Sequence, residues 1–443
     1  MALSGLDIFK LLPKTNCKKC GMPTCLAFAM ALAQKKANLD QCPDVSPAAR
    51  EALAGAAAPP MKVVAFGDCK TGGETVLFRH EEKFHSPTVI ALTLPDTLDA
   101  AGLAARAAAI KAFALERIGQ PMPVNAVAVV NASGDAARFA AAAEVARSTG
   151  KAIILVSEKP DALSAALAKV KDLRPLLAAA TDSTAATLAK LAADAKCPLV
   201  ARAADPEKLA ALTEKLKAAG CDDLVLWLDA ADPHARMAGL TLVRRLALKK
   251  AVRPLGYPTI AFAAGADPTA MALDATGLIC KYAGIVVVDT VEPWAVLPLL
   301  TARQNIFTDP QKPVQVEAKL YAVGDPGPDS PVLFTTNFSL TYYTVEGDVE
   351  SSRVPTWILC VDSEGTSVLT AYSGDKLSEK TVAKAMAAAK LDTVVRHRKL
   401  IIPGYVAVMS GKLEEETGWQ ILVGPRESSV LPRYLREVWA AKA

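Results

Sequence analysis

The sequence predicts an α/β protein in three parts: a small cysteine-rich N-terminal domain, a central (β/α)8 TIM-like barrel and a C-terminal Rossmann-like, doubly wound domain. Four of the nine cysteines lie in the first tenth of the chain. From Met61 to about Val323, short runs rich in valine and isoleucine alternate with alanine-rich amphipathic stretches. A similar alternation resumes after the turn-rich segment 324–331. We place the domains at 1–58, 59–325 and 326–443.

The N-terminal cysteines have the spacing of an iron–sulfur site. Cys17, Cys20, Cys25 and Cys42 read C-x2-C-x4-C-x16-C, and Pro43 follows the last of them. Three thiolates from one tight loop, with a fourth that returns before a proline, can bind one cuboidal cluster. These four residues are therefore the predicted metal ligands of a [4Fe-4S] cluster. A structural zinc is the alternative, although such sites usually pair two C-x2-C knuckles and only one is present.

The other cysteines do not form a pattern typical of disulfides. They are scattered singly through apolar segments, and no secretory signal precedes the first motif. We expect them to be buried thiols in a protein of the reducing cytoplasm. They are Cys69, Cys197, Cys221, Cys280 and Cys360.

Length, composition and charge narrow the class of protein. A chain of 443 residues is too long for one ordinary core. Although 51% of the residues are apolar, no run approaches the roughly 18 residues of a membrane span. The formal charge is only +4, and the basic residues are interleaved with carboxylates. We therefore expect a soluble protein that binds neither nucleic acid nor membrane.

The first domain is predicted to begin with a short helix from Ser4 to Leu12. A second helix is predicted from Cys25 to Ala33, so that the third cysteine stands at a helix N-terminus, where the positive end of the helix favours thiolate charge. The stretch from Pro47 to Pro60 is rich in small apolar residues and is predicted to be a linker.

The central segment contains eight short apolar runs, each followed by helical sequence. An additional pair of strands is predicted before them, at Lys62–Phe66 and Thr75–Arg79. Eight alternating units predict the barrel, and an open doubly wound sheet is the alternative. The eight runs are Thr88–Leu94, Asn125–Val130, Ala152–Val156, Leu176–Ala180, Leu199–Arg202, Leu224–Leu228, Thr259–Phe262 and Ile285–Val288.

Polar residues at the carboxyl ends of these runs have two interpretations. Barrel enzymes keep their chemistry at such positions, whereas Ser, Thr and Asp there also cap the following helices, which is the interpretation we favour. Asp232 and His234 partly match a D-x-H-x-x-G cobalt-ligand motif, but Gly239 comes two residues too late, so we interpret them as a helix start. The polar candidates are Thr93, Asn131, Ser157, Glu158, Thr181, Asp182, Asp229, Asp289 and Thr290.

The C-terminal segment is predicted to form a small α/β domain. Val332–Thr344 reads as paired strand sequence, and helices are predicted at Ser378–Lys390 and Tyr405–Glu416. Ligands of such sheets bind beyond the carboxyl ends of the strands. The remaining predicted strands are Thr356–Val361, Lys399–Ile402 and Gln420–Val423.

Several motifs together resemble one family. The cluster motif, the run C-V-D-S-E-G-T-S-V-L-T-A-Y at 360–372, and the segments 399–407 (K-L-I-I-P-G-Y-V-A) and 423–427 (V-G-P-R-E) are similar to the large (gamma) subunit of the corrinoid iron–sulfur protein of the acetyl-CoA (Wood–Ljungdahl) pathway. The resemblance covers the whole chain and includes the order of the three domains.

The resemblance implies a methyl-group carrier with two cofactors, a [4Fe-4S] cluster and a corrinoid (cobamide) held by the C-terminal domain. Cobalt in the Co(I) state would accept a methyl group from methyltetrahydrofolate through a methyltransferase, and methyl-Co(III) would deliver it to acetyl-CoA synthase. The cluster would reduce accidentally formed Co(II). A small barrel subunit is the implied partner in a heterodimer.

The resemblance also indicates where the corrinoid binds. The implied contacts lie in the loop and turn after the first strand pair, at residues 370–374 and in two glycine turns. Alternatively, residues 370–374 merely form the end of a helix and do not contact the corrinoid. His397 is the only histidine of the terminal domain, so we expect no histidine ligand to the cobalt. The predicted cofactor-binding residues are Leu340, Thr341, Glu346, Thr370, Ala371, Tyr372, Ser373, Gly374, Gly404, Gly424 and Pro425.

Two other function classes remain open from the residues alone. In one, the barrel binds a pterin and transfers the methyl group itself, which would make the chain an enzyme. In the other, the chain is an iron–sulfur electron-transfer subunit whose terminal domain binds only a protein partner.

Overall fold

A computed structural model describes residues 5–33, 37, 39–46, 49, 60–230 and 232–439. The chain forms two compact units, Met1–Ala114 with Pro123–Phe307, and Leu115–Met122 with Thr308–Ala443. The boundary expected near residue 58 and most of the linker before it lie outside the described residues. The division into three domains therefore stays a prediction.

The N-terminal segment contains helices α1 (Gly5–Leu11) and α2 (Cys25–Ala33). Ile8 of α1 and Phe28 and Ala29 of α2 share one small apolar cluster, which Cys25 and Cys42 also join. Burial of these side chains holds the two helices together, because helices this short are marginal in isolation. The predicted helix from Cys25 to Ala33 is confirmed over that range.

Eight parallel strands and the helices between them form most of the first unit. The strands are β3 (Val89–Pro95), β6 (Ala126–Val130), β7 (Ala152–Val156), β8 (Leu176–Ala180), β9 (Leu199–Ala203), β10 (Leu224–Leu228), β11 (Ile260–Phe262) and β12 (Ile285–Val288). The helices are α3 (Ala100–Ala112), α4 (Ala136–Ala146), α5 (Pro160–Val170), α6 (Ala185–Ala195), α7 (Pro206–Ala218), α8 (Pro233–Lys249), α9 (Pro268–Cys280) and α10 (Pro293–Phe307).

The eight strands make a nearly closed barrel, in the order β10-β9-β8-β7-β6-β3-β12-β11. The two outer strands meet at a parallel bridge between Leu226 and Thr259, where the Leu226 amide donates to the Pro258 carbonyl at 2.8 Å. Alternate residues such as Ala91, Ala128 and Val200 point inward and fill the interior. The predicted barrel is confirmed, and the open sheet is not formed.

A hairpin closes the amino-terminal end of the barrel. Strands β1 (Val63–Phe66) and β2 (Cys69–Gly72) pair antiparallel, and Val64 and Phe66 are buried in the barrel core. Arg174, just before β8, donates to the Ala65 carbonyl at 3.0 Å. Because this end is covered, the carboxyl ends of the strands form the open end of the barrel.

The strand predicted at Thr75–Arg79 is wrong, since β2 lies earlier in the chain. Gly72 and Gly73 have φ of +91° and +75°, which ends the strand. The segment that follows is irregular because the buried Glu74 carboxylate accepts from the amides of His85 and Ser86 at 3.0 and 2.9 Å. Arg244 completes this arrangement with an ion pair to Glu74 at 3.2 Å.

The second unit contains a five-stranded sheet in the order β13-β15-β14-β16-β17. The four strands from β14 onward are parallel, and β13 pairs antiparallel at one edge. The strands are β13 (Leu320–Val323), β14 (Val332–Thr336), β15 (Thr356–Val361), β16 (Lys399–Ile402) and β17 (Gln420–Val423). The α-helices are α11 (Ser339–Ser352), α12 (Val368–Ser373), α13 (Glu379–Ala388), α14 (Leu391–Val394), α15 (Ser410–Thr417) and α16 (Leu431–Tyr434).

Helices cover both faces of this sheet. Phe334 and Leu359 point to one face and pack with residues of α13 and α15, whereas Leu333 and Ile358 point to the other and pack with α11 and α16. Strands buried on both faces are mostly apolar, which explains why β15 and β16 were predicted with their observed bounds. The predicted bounds of the edge strand β17 are also observed.

The paired strands predicted at Val332–Thr344 are only partly correct. Strand β14 ends at Thr336 and helix α11 begins at Ser339. Aromatic and β-branched residues such as Tyr342 and Val345 favour strands. In α11 they are buried against the sheet, and this packing outweighs their local preference.

A small hairpin that belongs to the second unit has no signal in the sequence. Strands β4 (Glu116–Arg117) and β5 (Gln120–Pro121) lie between two barrel elements in the chain, but the segment 115–122 clusters with residues 308–443. A Cβ atom at Gly119 would lie 1.6 Å from the Tyr343 hydroxyl. The hairpin turn thus lies directly on helix α11.

Candidate functional site

A cavity of about 330 Å³ opens at the carboxyl ends of β14 and β16 in the second unit. Chain order changes direction here, since β14 has β15 on one side and β16 on the other. Ligands of open α/β sheets bind at such switch points. The wall is formed by residues 333–335, 340–341, 344–345, 367–369, 401–403, 405, 424–428 and 431.

The two strands below the cavity separate early. Strand β14 pairs with β15 over five residues but with β16 only where Leu333 faces Ile401. Beyond this point the strands diverge, and the space between them becomes the cavity. Its inner end is apolar and deeply buried, because Phe334 and Ile402 are each 1% exposed.

Two glycine turns meet at the cavity wall. The Gly404 amide donates to the Pro425 carbonyl at 3.0 Å, and the Gly424 amide donates to the Ile402 carbonyl at 2.8 Å. A Cβ atom at Gly404 would lie 2.7 Å from the Gly424 oxygen, and one at Gly424 would lie 2.9 Å from the Ile402 oxygen. No larger residue fits either place without moving backbone.

One buried hydroxyl at the inner end has no hydrogen-bond partner. Thr335 is 1% exposed and lines the cavity, and its Oγ1 atom is without a partner. Native structures contain few such atoms, and this is the one among the cavity-lining residues. The inner end of the cavity therefore presents one unused hydrogen-bonding group among apolar side chains.

The mouth of the cavity is apolar and accessible. Leu340 and Leu369 are 53% and 51% exposed. Tyr405 stands at the same mouth and donates its hydroxyl proton to Glu427 Oε1 at 2.6 Å, which links the two glycine-turn loops. This hydrogen bond raises the pKa of Tyr405. Apolar walls with a few polar groups are typical of small-molecule sites.

The structure brings together part of the predicted corrinoid site. Leu340, Thr341, Gly424 and Pro425 line the cavity, and Gly404 abuts its wall. Leu340 and Thr341 do so from helix α11, not from the predicted loop. Their role toward a corrinoid stays a prediction.

The other predicted contacts lie outside the cavity wall. Glu346 accepts a hydrogen bond of 2.7 Å from Tyr342, and burial together with this bond raises the pKa of that tyrosine. Thr370 and Ser373 are exposed at the end of α12, Ala371 is fully buried in the core, Tyr372 packs beside it, and Gly374 caps the helix. Ser367 and Leu369, at the start of this helix, line the cavity instead.

Sequence reasoning missed a buried asparagine behind the site. Asn337 Oδ1 accepts from the Ser363 and Gly365 amides at 3.0 and 3.2 Å, and its Nδ2 donates to Gln315 and Asp362, both at 3.1 Å. These bonds hold the loop that leads into α12. The only sequence signal is an asparagine directly after an apolar strand.

His397 does not reach the cavity. Its Nε2 atom lies 2.8 Å from the Ser330 carbonyl oxygen, and its Nδ1 atom accepts from the Lys399 amide at 3.2 Å. Because one nitrogen accepts, the other donates, and both are engaged within the protein. No lining residue is a histidine.

The four predicted cluster ligands lie in one small region. Cys20, Cys25 and Cys42 border the apolar cluster of the N-terminal helices, whereas Cys17 is exposed. Among the described residues, no three Cys, His, Asp or Glu side chains lie close enough to hold a single metal ion. A cuboidal cluster differs in this respect, because each cysteine binds its own iron atom.

The backbone around these cysteines fits an anionic cluster. Lys14, Asn16 and Lys18 have φ of 59°, 49° and 61°. Left-handed residues of this kind contribute to the concave nests of amide groups found at many Fe–S sites. Asn16 Oδ1 accepts from the Cys25 amide at 2.8 Å, and the Asn16 amide donates to Cys25 Sγ at 3.3 Å.

An ion pair links the loop to the turn that contains Cys42, the fourth predicted ligand. Lys19 Nζ lies 3.1 Å from Asp44, and this hydrogen bond raises the pKa of Lys19. Asp44 also accepts a contact of 3.6 Å from Cys17 Sγ. The first cysteine pair and the Cys42–Asp44 turn are thereby held side by side.

The remaining cysteines follow the prediction with one exception. Cys69, Cys197, Cys221 and Cys360 are buried, and burial raises the pKa of Cys69 to about 11 and that of Cys360 to about 12. Cys280 is exposed. The prediction of a buried thiol is wrong there because Cys280 is the last residue of α9, where the side chain turns away from the barrel.

Polar residues at the open end of the barrel pair with one another. Arg202 contacts Glu158 and Asp229, the latter at 2.6 Å, and stacks over Trp227 at 4.4 Å. A second group joins Arg106 to Asp289 at 2.6 Å and to Thr93 at 3.0 Å. The remaining candidates each make a contact with a nearby residue. Asn131 donates a hydrogen bond to Ser157, and Lys215 forms an ion pair with Asp182. The hydroxyls of Thr181 and Ser183 are hydrogen-bonded, and Thr290 accepts from the Glu292 amide.

The preferred capping interpretation of these residues is therefore wrong for most of them. Barrel helices are capped instead by other aspartates, Asp99, Asp135, Asp205, Asp232 and Asp267. The predicted helix start at Asp232 is confirmed, as its Oδ2 atom accepts from the Ala235 amide at 2.7 Å.

Two family models match the sequence. One, described as the CO dehydrogenase/acetyl-CoA synthase delta subunit, matches residues 65–435. The other, described as "Putative Fe-S cluster", matches residues 12–43, a range that contains all four predicted ligands.

Full-length relatives decide the family. The corrinoid/iron–sulfur protein large subunit of Moorella thermoacetica is 46% identical over 98% of this chain and 99% of its own. The chain belongs to this family. The acetyl-CoA decarbonylase/synthase complex gamma subunit of Methanopyrus kandleri is 38% identical, over 98% of each chain. The resemblance seen in the sequence motifs is thus confirmed.

Solved structures match part of the chain more distantly. Dihydropteroate synthase from Thermus thermophilus is 16% identical over 55% of this chain and 100% of its own, with a TM-score of 0.39. At this similarity nothing about substrate or chemistry is transferred. No helix among the described residues has both the length and the apolar character needed to cross a bilayer.

Proposed function

We propose that this chain carries a methyl group on the cobalt of a corrinoid bound to its second unit, with a [4Fe-4S] cluster on its N-terminal cysteines. When bound, the corrinoid supplies a cobalt atom that takes up and releases the methyl group, and the cluster supplies the electrons that restore oxidised cobalt. The observation that supports this proposal most strongly is the cavity at the switch point of the second sheet.

The cavity fits an arm of the cofactor better than its ring. A volume of about 330 Å³ is at the lower end for small-molecule sites, and a corrin ring fringed with amides is far wider. The ring would lie across the exposed mouth, on Leu340, Leu369 and Tyr405. Gly404 and Gly424 keep the wall low enough for close approach.

The protein's residues also suit a cobalt without a protein imidazole. His397 is held by Ser330 and Lys399, and no lining residue is a histidine. A histidine ligand stabilises oxidised cobalt, so its absence from the cavity wall favours reduction. At the N-terminal site, Cys17, Cys20, Cys25 and Cys42 would hold the cluster, with the amide nest around Asn16 stabilising its negative charge.

The proposal includes three partners. A methyltetrahydrofolate methyltransferase would donate the methyl group, and acetyl-CoA synthase would accept it. A small subunit would cover the apolar mouth, because a ring with one face in water leaves its reduced cobalt open to oxidation. Val408, beside the mouth, is 73% exposed and offers further apolar surface for such a partner.

An absorption spectrum of protein purified without oxygen tests the proposal. We expect corrinoid bands together with iron–sulfur bands, and about four irons and one cobalt per chain. Iron without cobalt would favour the electron-transfer alternative. Protection of barrel amides from hydrogen exchange by a folate would favour the pterin-binding alternative.

A further inference from the structure

The inner end of the cavity combines apolar walls with one unpartnered polar atom. Thr335 Oγ1 is buried and has no hydrogen-bond partner, while Leu333, Phe334 and Ile401 beside it are at most 3% exposed. Leaving such a group without a partner destabilises a protein. Because Thr335 also lines the cavity, a ligand atom that enters the cavity can supply the missing partner.

Three other hydroxyls around the cavity already make hydrogen bonds within the protein. Thr344 donates to the Leu340 carbonyl at 2.7 Å, Ser367 donates to Thr370 at 3.0 Å and Tyr405 donates to Glu427 at 2.6 Å. Among the lining residues, all of which the structure describes, Thr335 alone has a side-chain polar atom that is both buried and unpartnered.

We propose that Thr335 is a specificity-determining residue whose hydroxyl hydrogen-bonds to a nitrogen or oxygen atom on the corrinoid arm that enters the cavity. This inference rests on the proposed function and assigns one residue to ligand recognition. A hydroxyl can donate or accept, so both a ring nitrogen of the nucleotide arm and an amide of a shorter arm satisfy the geometry. The chosen probes separate these two sources.

The neighbouring residue provides a matched control. Thr336 is fully buried, and its Oγ1 atom is also without a partner. Successive residues of a strand point to opposite faces, and Thr336 does not line the cavity. Thr335→Val and Thr336→Val thus remove the same group from adjacent positions, and only the first removes it from the cavity.

The test titrates the full-length chain, purified without oxygen and without added corrinoid, with hydroxocobalamin and with cobinamide, which lacks the nucleotide arm. Thr335→Val is expected to weaken hydroxocobalamin binding about tenfold, the size of one lost hydrogen bond. Thr335→Ser, which keeps the hydroxyl, and Thr336→Val should bind like the wild type. Weaker cobinamide binding by Thr335→Val identifies an amide arm, and unchanged cobinamide binding identifies the nucleotide arm.

Thermal unfolding of the ligand-free chain separates recognition from a structural role. Thr335→Val should leave the melting temperature unchanged or raise it, because the valine removes an unpaired hydroxyl. Equal affinity of Thr335→Val and wild type for both probes overturns the inference, as does an equal loss in Thr336→Val or a lowered melting temperature in Thr335→Val. Failure of the wild type to bind either probe overturns the proposed function as well.

Discussion

Gly404 shows how single atoms shape the wall of the cavity. Gly404→Ala would place a Cβ atom 2.7 Å from the Gly424 oxygen and 2.9 Å from the Arg426 nitrogen. We expect a loss of about 1–3 kcal/mol in the free energy of unfolding and weaker corrinoid binding, because the two loops must separate. Urea unfolding and a corrinoid titration measure both effects.

Gly411→Ala is the control for this prediction. Gly411 lies in helix α15, and an added Cβ would meet no atom within 4 Å. Alanine is the better helix former, so this variant should be neutral or slightly more stable. If Gly404→Ala unfolds with the same free energy as the wild type, the two glycine turns can separate without loss of stability, and the prediction is wrong.

Cys20 tests the ligand set of the cluster. Cys20→Ala should abolish the [4Fe-4S] absorption because one of four thiolates is lost, while the corrinoid remains bound to the second unit. Cys280→Ala, which removes an exposed thiol, should keep its iron. About four irons per chain in a Cys20→Ala, Cys42→Ala double variant would contradict the assignment.

Cys360 predicts a pH dependence of stability. Burial raises the pKa of its thiol from 9.0 to about 12. Both states carry the neutral thiol below about pH 9, so the contribution is then fully present. Between about pH 9 and pH 12 only the unfolded chain ionises, and stability falls by up to about 1.4 kcal/mol per pH unit.

Comparing the unfolding free energy of wild type and Cys360→Ala from about pH 8 to about pH 10.5 isolates this group. The variant should be less stable at the lower pH, because it loses buried side-chain volume, and should lose less stability as the pH rises. Parallel curves for the two proteins would refute the assigned shift.

Among single residues, the sequence predicted those that a local sequence pattern identifies. The predicted cluster cysteines are recognisable because their spacing matches that of iron–sulfur ligands. Gly404 and Gly424 were predicted from motifs that place glycine directly after strand ends. Thr335 was not predicted, because the lack of a hydrogen-bond partner for a buried hydroxyl depends on how segments distant in the sequence pack around it.

Among the secondary-structure elements, the edge strand β13 determines where a fragment of the second unit should begin. It pairs with β15 over four residues and lies before the turn-rich segment 324–331. A fragment from Thr308 to Ala443 should bind corrinoid, and one beginning at Asp325 should be less stable and bind more weakly, because the edge of β15 is exposed. Circular dichroism and corrinoid titration compare the two.

Corrinoid bound by residues 1–307 and not by the longer terminal fragment would refute the prediction that the second unit binds the corrinoid.

The hairpin 115–122 can be added to this terminal fragment, since it belongs to the second unit and touches Tyr343. Adding it through a short linker to the fragment should raise the melting temperature.

Strands and helices differed in how well they were predicted. The strands Ala152–Val156, Leu176–Ala180 and Thr356–Val361 have the predicted bounds, because strands buried on both faces are continuously apolar. Helix α11 was misread as strand, since its aromatic and β-branched residues report burial against the sheet and not the local backbone.

For the whole molecule, the two proposed cofactor sites lie on separate parts of the chain. The predicted cluster cysteines are in the first unit, and the cavity is in the second. Several polar groups at the open end of the barrel form ion pairs, such as Arg202 with Asp229 at 2.6 Å. The proposed methyl transfer belongs to the second unit, because the cavity proposed for the corrinoid lies there.

The most direct test follows a labelled methyl group. The full-length protein, reduced under anaerobic conditions, is incubated with methyl-labelled methyltetrahydrofolate and its methyltransferase, and the protein is then isolated. We predict about one label per cobalt. Light should release the label, because light breaks carbon–cobalt bonds. The Gly404→Ala variant should carry less label, in proportion to the corrinoid that it fails to bind. Label that stays on folate, or that binds the protein in a light-stable form without cobalt, would contradict the account.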